Sequence, residues 1–320
     1  MHNFYFSNNI NIRWFIIVGL VLHIIAAYFS IGFFNLDEHF QILSPLAKLL
    51  NIEYTATWEF EYKIRPWIQP YFYYFIIKIF EIFNIKDPFI LIFILRTISS
   101  IIGFMSIYYL YNHLKFRFNL DNNFSKFIIF GFWFYAFLHA RTSAENLSIA
   151  VLIFGVILFD KLVHSKNIGK YKYSILSGIF LGLSIVLKLQ NIISVFFVYI
   201  WFLINKLNPL SFFYSFVSGL LIILILLLGL VFDYFGYGSF NLTYYQYYHA
   251  NFVSKWFEHF GDDPWWYYFK LVIEGYFPPV SIIIIFSILF FSLKEFKSLL
   301  NYITIPVIIT LSLLSNKELR

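Results

Sequence analysis

The 320 residues are 60% hydrophobic and only 12% charged, with 44 Phe, 25 Tyr, no cysteine and a formal charge of +6. A mean hydropathy of +0.73 over this length excludes a water-soluble domain and leaves the membrane as host. Lack of cysteine excludes disulfides, thiolate chemistry and Cys-ligated metals; Lys and Arg lie in short loops between apolar runs, so they read as topological charges and nucleic-acid binding is rejected.

The run 14–34 is about 20 residues long and lacks a small-residue cleavage site, so it reads as a first span rather than a signal peptide. Directly after it comes Asn35-Leu36-Asp37-Glu38-His39-Phe40-Gln41. Two carboxylates and an imidazole at a membrane interface can deprotonate a hydroxyl, bind a cation or stay hydrated. A low-dielectric surface raises a carboxylate's proton affinity and suits it to act as a base. Helical apolar spacing over 40–50 predicts a helix lying in the interface. Next come Thr57-Trp58-Glu59-Phe60 and Ile64-Arg65-Pro66-Trp67. Trp58 and Trp67 fit interfacial anchors better than a sugar platform. Arg65 either grips a phosphate through its planar fork or sets topology. The run 67–83 holds Lys78 and Glu81 and opens on Pro66 and Pro70. It can cross, lie flat, or dip in and return.

Further spans are expected at 88–111, 127–140, 147–163, 174–189, 190–205, 211–232, 278–293 and 299–315, with Arg96 the main ionisable residue inside them. Between spans sit Arg141-Thr142-Ser143-Ala144-Glu145-Asn146, where Arg and Glu either exceed the need of a simple turn or form a salt bridge within it, and Lys188-Leu189-Gln190-Asn191. The long segment 233–277 carries Asp233 to Gly238, Tyr247 to Asn251 and Gly261-Asp262-Asp263-Pro264-Trp265-Trp266-Tyr267-Tyr268; the chain closes on Asn316-Lys317-Glu318-Leu319-Arg320. Aromatics interleaved with amides and acids suit both a sugar site and an interfacial helix.

With a cytoplasmic N-terminus and 67–83 not crossing, the short basic loops 112–126, 160–173 and 294–298 become cytoplasmic, as the positive-inside rule requires. The loops 35–66 and 233–277, the turn 140–146 and the last residues then share the other face with most of the acids. Nucleotide sugars are cytosolic and no Gly-rich phosphate loop is present, so chemistry on that face needs a donor carried on a lipid. The expected architecture is all-α: one membrane domain over 1–320, a polytopic bundle of about 9–11 spans.

In this order the residues resemble the membrane mannosyltransferases of glycosyltransferase family 22. The family's His-Pro-Asp-Glu with a following Gln is similar to Asn35-Leu36-Asp37-Glu38 and Gln41; its Thr-Trp-Glu and Arg are similar to Thr57-Trp58-Glu59 and Arg65. The Arg-Thr turn looks like Arg141-Thr142, the Asp-Tyr-Gly stretch and later Asn like Asp233 to Gly238 and Asn251, and Pro-Trp-x-Tyr like Pro264 to Tyr267. His-Lys-Glu-x-Arg looks like Asn316 to Arg320; Asn35-Leu36 and Asn316 depart from the family's histidines. Family members continue with further spans past that last element, so a C-terminal part is expected to be missing.

The resemblance implies a GT-C type fold and an inverting mannosyl transfer from a polyprenyl-phosphate donor to a lipid-linked glycan or a GPI-like acceptor. Its site would lie on the luminal or periplasmic face of an ER or bacterial inner membrane. Asp37 would be the base and Glu38 would orient the acceptor or share that role. His39, Gln41, Trp58, Glu59, Gln190, Asn251, Trp265, Glu318 and Arg320 are the implied substrate contacts, and Arg65, Arg141, Lys188 and Lys317 would neutralise the leaving phosphate. The lipid-phosphate sugar is a substrate; no cofactor and no metal are expected. A transporter or flippase of a lipid-linked substrate is the competing class, but it would place polar groups at the midplane. Another GT-C enzyme, acting on lipid A or protein, is the second alternative.

Overall fold

The computed structural model describes residues 10–33, 35–164, 169–205, 208–254, 263–275 and 278–314. Among them there is no strand. The chain runs through α1 (Ile12–Phe29), α2 (Ser44–Leu49), α3 (Trp58–Glu61), α4 (Ile68–Ile82) and α5 (Pro88–Phe118). It continues with α6 (Asn123–Lys126), α7 (Trp133–His139), α8 (Ala144–His164), α9 (Lys170–Leu187) and α10 (Ile192–Asn205). Last come α11 (Pro209–Tyr237), α12 (Thr243–Tyr248), α13 (Tyr267–Gly275), α14 (Pro278–Lys294) and α15 (Leu299–Leu313).

Helix ends follow local chemistry. Asp87 caps α5 by accepting from the Phe89 and Ile90 N–H groups at 2.8 and 3.1 Å, and Asn208 caps α11 through Ser211 N–H at 2.8 Å. Pro88 and Pro209 follow each cap, where a missing N–H costs nothing. α5 stops at Asn119 and α11 at Gly238, both left-handed.

Five helices (α1, α5, α8, α9 and α11) are long and apolar enough to cross a membrane, and shorter apolar helices cover 189–205, 281–294 and 299–313. The expected run 127–140 is broken among these residues: a π-helical turn Phe127–Gly131 is followed by an extended Phe132 and then α7. The ambiguous run 67–83 forms α4, whose 15 residues rise about 22 Å, short of a hydrocarbon core of about 30 Å. Tyr73 Oη meets Ser99 Oγ at 2.7 Å and Ile77 shares a cluster with Leu95, so α4 runs antiparallel to the first third of α5. The rest of α5 packs antiparallel to α1, with Arg96 reaching Ser30 and Ser100 reaching His23.

α8 is the centre: it packs on α5 and α9, and α9 on α11, while α10 pairs with α15. The main core joins Phe159, Leu162, Leu181, Ile185, Val198 and Phe202. Gly178 makes the α9–α11 crossing close, because a Cβ there would stand 2.6 Å from the Ser218 carbonyl oxygen.

This packing separates two polar ends. At one, Arg117 clamps Asp160 at 2.7 and 3.0 Å, His113 and His164 flank the same carboxylate, and Lys126 pairs with Asp121. At the other, the segments 30–67, 140–146, 188–191 and 233–251 meet.

Candidate active site

The acidic loop leaves α1 through Ser30 to Gly32 and turns at once into a π-helical turn, Glu38–Leu43, continued by α2. The expected helix over 40–50 is therefore present. Asn35 Oδ1 accepts the Asp37 N–H at 3.2 Å. The turn sends the two carboxylates different ways. Asp37 is half-buried and its charge reaches the Arg65 guanidinium. Glu38 is only 1% exposed. Its Oε1 accepts the Thr142 N–H and Oγ1–H, both at 2.9 Å, and its Oε2 lies 3.9 Å from Arg141. Those contacts tie the Glu38 carboxylate to the Arg-Thr turn.

The loop before α4 supplies the second charge pair. Arg65 donates from Nε to Glu59 Oε1 at 3.0 Å and from a terminal nitrogen to the same oxygen, while Gln41 approaches that oxygen at 3.4 Å. Burial opposes the Arg65 charge, but the Glu59 carboxylate, with Tyr247 and Asp37 adding to it, outweighs the loss and raises its pKa. Tyr237 Oη donates to the Arg65 carbonyl at 2.6 Å, and the Tyr247 ring lies 5.8 Å from the guanidinium. Lys188 pairs with Glu145 across the α8–α9 junction. Each of these three cations thus faces a carboxylate. Arginine carries five N–H donors, and Glu59 engages those on Nε and one terminal nitrogen of Arg65.

Two cavities flank this array. A small one of about 20 Å³ is lined by Gln41, Arg65, Gln69, Lys188 and Tyr247 among others. The larger, about 270 Å³, lies between α5, α7 and α8. Its rim carries Asn35, Glu38, His139, Arg141, Glu145 and Asn146, and its walls are aliphatic, including Ile107, Leu110, Ile129 and Ile153. The Glu145–Lys188 pair stands between the two.

The structure thus gathers Asp37, Glu38, Gln41, Glu59, Arg65, Arg141 and Lys188. Gln190 joins through Tyr247 Oη at 3.2 Å, and Asn251 donates to the Tyr247 carbonyl at 2.8 Å. His39 packs between Phe33 and Phe40. Trp58 is partly exposed beside Glu59. Trp265 is exposed and packs on Phe269 in its own segment. Lys317, Glu318 and Arg320 lie outside the described residues, as does Asn316.

Trp67 corrects its expected role as an interfacial anchor. It is 1% exposed, its backbone N–H donates to Asp233 Oδ1 at 2.8 Å, and its ring lies where a Cβ on Gly236 would be, 2.1 Å away. With Lys63 on Ser239 and Asn241 on the Lys63 carbonyl, it rivets the first long loop to the end of α11. Sequence reasoning also passed over Gln69, which is 1% exposed and donates to the Thr142 carbonyl at 2.8 Å. A lone amide beside Pro70 in an apolar run was its only signal.

Fold and site together define a polytopic helical membrane protein with a polar array over an amphipathic cleft. The chain belongs to the Alg9-like mannosyltransferase family, whose family model matches residues 14–320. It is 25% identical over 309 residues to GPI mannosyltransferase 3 of Debaryomyces hansenii, covering 90% of this chain and 52% of that protein. It is 24% identical over 306 residues to mannosyltransferase APTG1 of Arabidopsis thaliana, covering 94% of this chain and 54% of that protein. The chain therefore spans about half the length of the curated relatives it matches. No solved structure matches.

Proposed function

We propose that this chain carries the reaction centre of an inverting membrane mannosyltransferase that draws mannose from a polyprenyl-phosphate donor and passes it to a lipid-linked glycan. The observation that carries this reading is the cleft of about 270 Å³, with aliphatic walls and a rim holding Glu38, Arg141 and Glu145. An isoprenoid chain suits the walls and a phosphosugar the rim.

Asp37 takes the proton of the acceptor hydroxyl. The oxygen attacks the anomeric carbon from the face opposite the phosphate, the bond from that carbon to the phosphate oxygen breaks, and the lipid phosphate leaves with the electron pair. Glu38, held by Thr142 and Arg141, fixes the loop and the Arg141 fork. Arg141, Arg65 and Lys188 stabilise the charge that grows on the leaving phosphate. The array faces the luminal or periplasmic side, a placement supported by the basic residues Lys115, Arg117, Lys126, Lys161 and Lys170 at the other end of the helices.

Filling the cleft tests the reading. Ile153→Trp places a large ring on an aliphatic wall and raises the KM for the lipid-linked donor about tenfold with little change in kcat, as lost uniform binding does. An unchanged donor KM in a well-folded Ile153→Trp protein overturns the assignment of the cleft to the donor.

A further inference from the structure

Arg96 is the main ionisable residue inside the sequence-predicted spans, and it lines neither cavity of the candidate site. A charge inside a membrane helix is costly and persists where it is paired or useful. Arg96 is 9% exposed. One terminal nitrogen donates to the Ser30 carbonyl and the other to the Gly32 carbonyl. Both oxygens belong to the chain just leaving α1: Ser30 is the C-cap, whose carbonyl has no intrahelical partner, and Gly32 lies two residues beyond it. Arg141 Nη1 converges on the same Gly32 oxygen at 3.4 Å while pairing with Glu38 at 3.9 Å. Gly32 has φ +66, a conformation that non-glycine residues adopt at a cost. Five residues further on comes Asp37.

We infer that Arg96 is a positioning residue: its fork, closed on the Ser30 and Gly32 carbonyls, sets the direction in which the chain leaves α1 and so places the Asp37–Glu38 pair, of which Glu38 stands on the rim of the cleft. The inference rests on Asp37 and Glu38 being the reacting and orienting groups. Planarity matters here, since two divergent carbonyls are held by one rigid guanidinium and a lysine offers a single point charge. The Gly32 oxygen joins α5 to the Arg-Thr turn, so both sides of the site are referred to one backbone atom.

The test combines a structural and a kinetic readout. The chain lacks cysteine, and Leu36 is 59% exposed, so Leu36→Cys reports on the acidic loop; Phe240→Cys, at a residue 72% exposed in a separate loop, serves as control. Adding Arg96→Met speeds maleimide labelling at position 36 at least about threefold and leaves position 240 unchanged. In the cysteine-free background Arg96→Met lowers kcat on the order of 30-fold with the donor KM within about threefold, the pattern of lost alignment rather than lost binding. Arg96→Lys recovers part of kcat. Gly32→Ala is the second variant: a Cβ there meets nothing within 4 Å, so only the backbone conformation is disturbed, and it shifts labelling and kcat in the same direction. Unchanged labelling at position 36 in both Arg96→Met and Gly32→Ala overturns the inference. So does unchanged kcat in both when Asp37→Asn is inactive. Full activity of Asp37→Asn overturns instead the functional reading on which it rests.

Discussion

Asp37→Asn lowers mannosyl transfer on the order of 10³-fold, the scale set by removing a positioned general base, and leaves expression and thermal stability of the protein near wild type. The structural ground is the unequal fate of two adjacent carboxylates. Glu38 is buried and its oxygens are committed to Thr142 and Arg141. Asp37 is half-buried and stands within electrostatic reach of Arg65. The isosteric amide keeps the shape of the loop and removes the proton acceptor. Rates measured with saturating donor, alongside a melting curve, separate the chemical loss from a folding loss; full activity in the variant removes Asp37 as the base.

Glu38→Ala has the opposite signature. It strips Thr142 of the acceptor for two buried hydrogen bonds and Arg141 of its carboxylate. Breaking a buried ion pair from one side costs about 3–5 kcal/mol, so the variant loses folded protein and activity together. Thr142→Val removes one hydroxyl donor and costs about 1 kcal/mol. In the double variant Glu38→Ala/Thr142→Val the two losses do not add, because the groups share one hydrogen-bond network. Denaturation of detergent-solubilised protein measures this coupling. Equal stability of Glu38→Ala and wild type removes Glu38 as the hub of the turn.

The sequence made the helical class legible because apolar runs of span length are visible without any partner. It also grouped the site segments on one end, since loop length and basic residues order the spans. Contacts between segments were not legible. Glu38 and Thr142 are 104 residues apart, and nothing in either motif marks the other as its partner. Trp67 reads as an anchor from composition, and only packing under Gly236 and Tyr237 reveals a rivet. The path of α4 is set by Tyr73 and Ile77 against α5, a match that hydropathy does not encode. The resemblance implies a phosphate role for Arg65, Arg141 and Lys188, but the carboxylate that each faces, Glu59, Glu38 and Glu145, is not marked in the sequence. A cation and an anion from different loops neutralise each other only after folding.

That pairing bears on mechanism. On the proposed function, an array in which each of these cations faces a carboxylate would hold a lipid phosphate less tightly than bare cations would, and would respond most to charge that builds on the leaving oxygen. Stabilisation is then concentrated in the transition state, where it raises the rate.

The most direct measurement supplies membranes holding the full protein with a lipid-linked glycan acceptor and labelled mannose in two forms, polyprenyl-phosphate mannose and nucleotide-linked mannose. Label reaches the acceptor from the polyprenyl-phosphate donor alone and is lost with Asp37→Asn. Transfer from the nucleotide-linked donor without the lipid-linked one would contradict the proposed function.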